Sequence, residues 1–518
     1  MKKLATLLLA AGMIFGVATN SSAIDFKLKG EWIMSFDYGQ NGDFSGGNGK
    51  TGSRYSNKSD EFDAYQRLRF QLDAVASEAL SGQFFIEIGN QQWGSGKASA
   101  IGGGALGADG TNSIKVRRAF IDWMPPESDL KVRMGLQGLA LPSFTTGSQV
   151  FNDDVAGINL SYKFNENVAA TAFWIRPFND NYTDVDYADG RRNNYMDNVD
   201  AFALLIPLTF DGVKVTPWGM YTAIGPNAWR TNAGYFAGRY GASTGQYPHG
   251  MMAAGGAIHK DGSRSSKKLT TYGDAWWVGL TGQVTAFDPF RFAWDINYGS
   301  VRYEDSRANR QGWLASLLFE YKLDWSIPGL YGWYGSGDDG NPANGSERMP
   351  YLSAGNTNNG FSNLAFNGHP WTEQREGTLG RNMSGTWGIG ARLKDMSFLE
   401  NLKHTVYLNV IGGTNSTTMA KRYLSAFGNT DFDNIADGPN GFGTGVDNLY
   451  LTTNDTVMEI GLTTNYKMYD NFDIYLDAAY IATWLDKSGS VWGRSVMNGK
   501  GDQVRDPWNV NLSFVYSF

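Results

Sequence analysis

The chain has 518 residues, with 44 basic and 51 acidic side chains and no cysteine. That mild acidity argues against a nucleic-acid partner, and the missing thiols exclude disulfides and cysteine metal sites. Hydrophobic residues make up 42%, mean hydropathy is −0.35, aromatics reach 14%, and glycine (65) far outnumbers proline (15). Strands with one greasy and one wet face average to such a profile.

Met1-Lys2-Lys3 is basic, Leu4 to Val17 is mostly apolar, and Ser21-Ser22-Ala23 is a small-residue cleavage site. This is the pattern of a secretory signal peptide over residues 1–23. The remainder, 24–518, offers no run of 18 apolar residues and so no transmembrane helix. The longest candidate, Ala201 to Phe210, contains Pro207.

The first predicted strand, Ile24 to Tyr38, sets Phe26, Leu28, Trp32, Met34 and Phe36 against Lys27, Lys29, Glu31, Ser35 and Asp37. A period of two places these sets on opposite faces of a sheet. Leu68, Phe70 and Leu72 alternate with Arg67, Arg69 and Asp73. Phe84, Ile86 and Ile88 mark a third strand, and Ala119, Ile121 and Trp123 a fourth. Leu130 to Leu136 alternates with Lys131 and Arg133, and Ala156 to Phe164 follows. The theme continues over 168–176, 198–210, 213–224, 274–286, 290–299, 311–323, 329–336, 386–394, 403–412, 456–467, 471–482 and 508–518. The last strand runs to the final residue: Trp508, Val510, Leu512, Phe514, Tyr516 and Phe518 share one face. Asn509, Asn511, Ser513 and Ser517 share the other, with Val515 as the exception. The count is 18 strands. The weakest, 329–336 and 403–412, leave 16 as the alternative.

Connections alternate in length. Pro125 to Asp129, Asn165 to Asn167, Asp211-Gly212 and Phe287 to Pro289 read as tight turns. Long, mostly glycine- and asparagine-rich segments lie between them: 39–61, 91–113, 138–153, 177–197, 225–273, 337–385, 413–455 and 483–507. The predicted fold is therefore all-β, an antiparallel up-and-down barrel across a membrane. Closure satisfies the backbone groups that lipid cannot, and so many strands enclose an aqueous channel.

These features resemble the Gram-negative general porins, and more narrowly the homotrimeric outer-membrane porins of sulfate-reducing bacteria. The resemblance implies an outer-membrane location, a trimer, passage of small hydrophilic solutes, and a C-terminal signal (Phe514, Tyr516, Phe518) read by the barrel assembly machinery. It also implies that the third external connection, Gly138 to Asp153, folds into the lumen and constricts the pore. Lys27, Lys29, Arg67, Arg69, Arg118, Lys131 and Arg133 form a basic stripe that would face Asp153 and Asp154 there. Rings of charge select ions by sign. The same residues would instead merely hold the wall by pairing with Glu31, Asp73, Glu87 and Asp122. Strict alternation points Arg117 outward.

The primary expectation is passive diffusion, and the alternative is a substrate-specific channel for a sugar or organic acid. Small outward residues (Gly30, Ala74, Ala76, Ala119) would allow subunits to approach closely. Phe85, Tyr407 and Tyr475 point inward but form no file of sugar-binding rings. Catalysis has little support: His249, His259, His369 and His404 are scattered, and no nucleophile elbow or zinc motif occurs. No cofactor is expected; the acid-rich segments Asp338 to Asn341 and Asp431 to Asn434 could hold calcium, though such runs are more often solvated loop.

Overall fold

The computed structural model describes residues 24–40, 62–95, 102–104, 114–179, 196, 198–226, 228, 249–253, 259–261, 269–353, 361–366, 379, 382–426, 450–486 and 506–518. The predicted signal-peptide segment 1–23, Asp431 to Asn434 and His369 lie outside them.

A single antiparallel sheet closes on itself. Its strands are β1 (Asp25–Gln40), β2 (Phe62–Ser77), β3 (Leu80–Ser95), β4 (Ile114–Trp123), β5 (Lys131–Ala140), β6 (Asn152–Lys163) and β7 (Ala169–Asn179). Then come β8 (Asn198–Leu205, resuming at Leu208–Phe210), β9 (Val213–Ile224), β10 (Gly273–Val284), β11 (Phe290–Arg302) and β12 (Arg310–Tyr321). The circuit ends with β13 (Ile327–Gly335), β14 (Thr386–Leu399), β15 (Leu402–Gly413), β16 (Thr456–Tyr469), β17 (Phe472–Trp484) and β18 (Trp508–Ser517). The twenty strand segments thus make 18 staves, because β8 is written in two pieces and Gly102–Gly104 only flanks β3. Both weak candidates are present, as β13 and β15, so the larger count holds. β8 breaks at Ile206-Pro207, since proline has no N–H to give a ladder. The one α-helix among the described residues, α1 (Thr417–Ala426), lies in an external connection and is too short to span a bilayer.

Alternation decides which side chains meet lipid. Outward residues such as Leu28, Trp276, Val278, Leu330 and Ile389 are exposed on the barrel surface. The polar set of β18 turns inward and seals the closing seam. Asn511 Nδ2 donates to Ser35 Oγ (2.8 Å) and to Asp37 Oδ1 (2.9 Å), and Asn509 Nδ2 donates to Asp37 Oδ2 (2.9 Å). Aromatic rings pair at the strand ends, as in Tyr38–Trp508 (5.3 Å) and Tyr162–Phe164 (4.9 Å), where amphipathic rings suit the headgroup layer.

Closure continues through the last residue. Gly30 and Phe518 exchange two backbone hydrogen bonds, 2.8 and 3.0 Å long. A Cβ on Gly30 would lie 2.5 Å from Arg69 O and 2.6 Å from the Phe518 ring. Gly30→Val is therefore expected to destabilise closure by about 1–3 kcal/mol, the usual range for overpacking. Unheated electrophoresis of refolded protein should show less of the compact form, and full recovery would refute the assignment.

Candidate functional site

The third external connection, residues 141–151 (L3), folds into the lumen and docks on a wall carboxylate five staves beyond β6. Asp295 of β11 accepts from Ser143 Oγ (2.6 Å), Phe144 N (2.9 Å) and Thr145 N (3.0 Å), and also from the hydroxyls of Thr145 and Thr281. Arg291 Nη2 holds the Phe144 carbonyl at 2.7 Å. Phe151 pairs with Ser353 of the connection 336–385 (L7), and Leu352 N donates to Val150 O at 2.9 Å.

L7 also turns inward, which the sequence reading did not anticipate. Residues 361–366 wrap Glu459 of β16. This carboxylate accepts from Ser362 Oγ (3.0 Å), Leu364 N (2.9 Å), Ala365 N (3.2 Å), Tyr407 Oη (2.9 Å) and Asn409 Nδ2 (3.0 Å). Phe361 stacks on Tyr331 at 4.1 Å. Leu352, Phe361, Leu364 and Phe366 join wall residues such as Trp277 and Leu318 in one buried apolar cluster. The lumen is thus not a water column throughout, since part of it is packed with folded loop. The signal lay in the inward positions of β10 to β13, where Trp277, Leu314, Leu318 and Trp333 are apolar. Tyr407, one of the candidate sugar rings, is spent on Glu459, and Phe85 lies under arginines.

The basic stripe sits on the opposite wall. Arg69 bridges Glu87 (2.7 Å) and Glu31 (3.1 Å). Arg118 Nε donates to Asp154 at 2.9 Å, and Arg133 grips Asp122 through two bonds of 2.7 Å while its guanidinium covers the Phe120 ring at 4.0 Å. Lys131 lies 3.2 Å from Asp122. Arg67 is buried in the wall against Gly89. Lys27 and Lys29 stand apart at the other end of the barrel, near Asp25 (3.5 Å) and Asp73 (3.4 Å). Asp153 accepts from Ser353 Oγ of L7 at 2.7 Å.

Arg117 corrects the alternation. Its guanidinium points inward, donating to Asp154 (2.7 Å) and Glu87 (3.2 Å). The register of β3 against β4 slips between Phe85 and Ile86, which oppose Arg118 and Val116. Such a bulge inserts one residue and re-aims its side chain, so Arg117 and Arg118 share one face.

Exposure decides what a solute meets. The side chains of Arg118, Arg133, Arg117 and Arg69 are 37%, 29%, 21% and 20% exposed, and Lys131 reaches 51%. Their carboxylates lie deeper, with Asp154 at 14%, Asp122 at 13% and Glu87 at 8%. Glu31 (24%) is the exception. Cations therefore form the skin of this wall, with acids packed beneath.

An apolar exterior around a closed barrel with a polar lumen wall has one natural solvent, a lipid bilayer. The chain is a transmembrane β-barrel. It is similar in fold to OccK9 (OpdG) of Pseudomonas aeruginosa, with a TM-score of 0.50, 10% identity, and coverage of 95% of this chain and 98% of that one. Lower scores relate the barrel to OprD of Pseudomonas aeruginosa (0.48, 11% identity, 97% and 96% covered) and to OccAB3 of Acinetobacter baumannii (0.49, 9% identity, 95% and 100% covered). At such identities the likeness shows the fold alone. That fold is the porin-type barrel, and nothing in the likeness singles out the porins of sulfate-reducing bacteria. No family model matches the chain, and no curated protein matches it.

The described acid-rich segment has other duties. Asp338 accepts from Ser346 Oγ (2.5 Å), Glu347 N (3.1 Å) and Tyr450 Oη (2.6 Å). Among the described residues no three histidine, aspartate or glutamate side chains gather as a metal site. Burial, reinforced by Asp338 and Asp339, pushes the Glu347 carboxyl up from 4.5 to about 7. A raised carboxyl stabilises the fold fully below 4.5, and that contribution is lost as pH rises through about 7. Protection factors over residues 337–348, taken relative to the intrinsic exchange rate at each pH, should therefore fall between pH 5 and pH 8. Glu347→Gln should flatten the change, and an equal pH response in both proteins would refute it.

Proposed function

We propose that the barrel is a substrate-specific channel for small organic anions, made after removal of residues 1–23 and folded into the outer membrane by the barrel assembly machinery. The observation that carries this reading is the layering of Arg69, Arg117, Arg118 and Arg133 above their carboxylates. A passing carboxylate meets guanidinium donors first, and such charge-assisted bonds are the strong ones. A lumen narrowed by L3 and L7 supports a specific channel over a wide general pore. The barrel's resemblance to trimeric porins makes a homotrimer the assembly we propose. Phe518 fills the space at Gly30, which leaves Ala74, Ala76 and Ala119 as the close-packing surface.

The test is reversal potential across a salt gradient in planar bilayers. Native protein should favour anions, and small carboxylates should block its chloride current. Replacing Arg69, Arg117, Arg118 and Arg133 by glutamine should shift the potential towards cations and abolish the block. The shift should shrink at high salt, as exposed charges are screened. An unchanged potential would refute the reading.

A further inference from the structure

Strand pairing stops short of the loops on both sides of the β5–β6 hairpin: β6 pairs with β7 only from Gly157 opposite Ile175 onward, and the other gap, beside the arginines, lies between β4 and β5. β4 and β5 pair only from Ala119 opposite Leu136 to Trp123 opposite Val132. Further towards the loops, β4 continues along β3 to Ile114 and β5 continues along β6 to Ala140, but not along each other. Two distortions meet where the ladder stops. β4 carries the bulge at Arg117. β5 holds Gly135 at φ 130°, where a Cβ would come within 2.3 Å of Ala119 O. Only glycine suits that backbone, and β5 turns away from β4 there.

Side chains bridge the opening instead. Arg118 lies across Gly138, where a Cβ would be 2.6 Å from its Nη2, and reaches Asp154 beyond it on β6. Arg117 reaches the same carboxylate. On the lumen side, both guanidinium groups cover the Phe85 ring at 5.9 and 5.5 Å. On the outer side Ile114 is exposed, with Ile88 paired beside it. Cations thus stand at the inner lip of the seam and hydrocarbon at the outer lip. Among the described residues, the ion pairs at this level run from β4 over β5 to Asp154 of β6.

We propose that this seam is a side port of the lumen for an anionic amphiphile. The charged head takes the place of Asp154 on Arg117 and Arg118, and the tail lies along Ile114 and Ile88. The head belongs either to a free alkyl carboxylate or to the phosphate of an outer-leaflet lipid. The port rests on the reading of the arginines as an anion path and adds to it a route that depends on hydrocarbon.

The chain has no cysteine, so a Val116→Cys, Ala140→Cys pair can be bridged across the seam by a short bismaleimide. Block of chloride current is then measured with butanoate and octanoate in zwitterionic bilayers, with each single-cysteine variant given the same reagent. Octanoate should block the unbridged channel at about tenfold lower concentration than butanoate, because its extra methylenes leave water. Bridging should remove that advantage and spare the butanoate block. Equal block by the two acids before bridging, or an advantage that survives it, overturns the port. Butanoate failing to block while octanoate still blocks would remove the small-anion specificity of the channel and keep the arginines as the head site of the port. Phosphatidylglycerol in the leaflet facing the loops separates the sources of the head: weaker octanoate block assigns it to lipid phosphate, and no change assigns it to the free acid.

Discussion

Replacing Asp295 by alanine should raise single-channel conductance and make the open current noisier. Four of the five donors that reach this carboxylate come from L3: Ser143 Oγ, Phe144 N, Thr145 N and the Thr145 hydroxyl. At about 1.5 kcal/mol each, the low end for bonds to a charged group, their loss removes about 6 kcal/mol of docking. The backbone ladders of β10 to β12 do not depend on them, so the barrel should still fold. Asp295→Asn should fall between the two, since one amide oxygen can accept only part of the set. Planar-bilayer recording of the three proteins gives the order directly. Conductance unchanged in Asp295→Ala would mean that the packing of Val150 and Phe151 alone sets the path of L3.

Alternation carried the fold because a stave has only two solvents to choose between. Trp508 to Phe518 shows lipid and lumen residue by residue, and even short β13 kept enough of the pattern to be found. Arg117 was misplaced because a period of two assumes no inserted residue, and the slip opposite Phe85 is a property of two strands together. L7 was missed because glycine and asparagine dominate 337–385, as they do in solvated loops. Its few apolar residues, Met349, Leu352, Phe361 and Leu364, become meaningful only beside the apolar inward positions of β10 to β13. Asp295 was legible as an inward residue, but its partners lie about 150 positions away, beyond the reach of any local pattern. The arginine wall stood out because charge on a strand face is rare unless it meets water or a partner. In this barrel it meets both.

Glu459→Ala is the counterpart on the other inward loop. Three of its donors, Ser362 Oγ, Leu364 N and Ala365 N, belong to L7, and two, Tyr407 Oη and Asn409 Nδ2, belong to the wall. Its removal should free residues 361–366 and raise conductance, with Tyr407→Phe giving a smaller step because it deletes one donor and leaves the carboxylate. The two loops are not independent. Leu352 N on Val150 O, Ser353 N on Val150 O (3.2 Å) and Met383 N on Gln149 Oε1 (3.0 Å) tie L3 to L7. Each loop cut from its own carboxylate still hangs on its neighbour. The Asp295→Ala, Glu459→Ala double variant should therefore open the lumen by more than the two single steps combined, since contacting groups couple while distant ones add. Simple additivity would show that L3 and L7 move as separate flaps, each held by its own carboxylate.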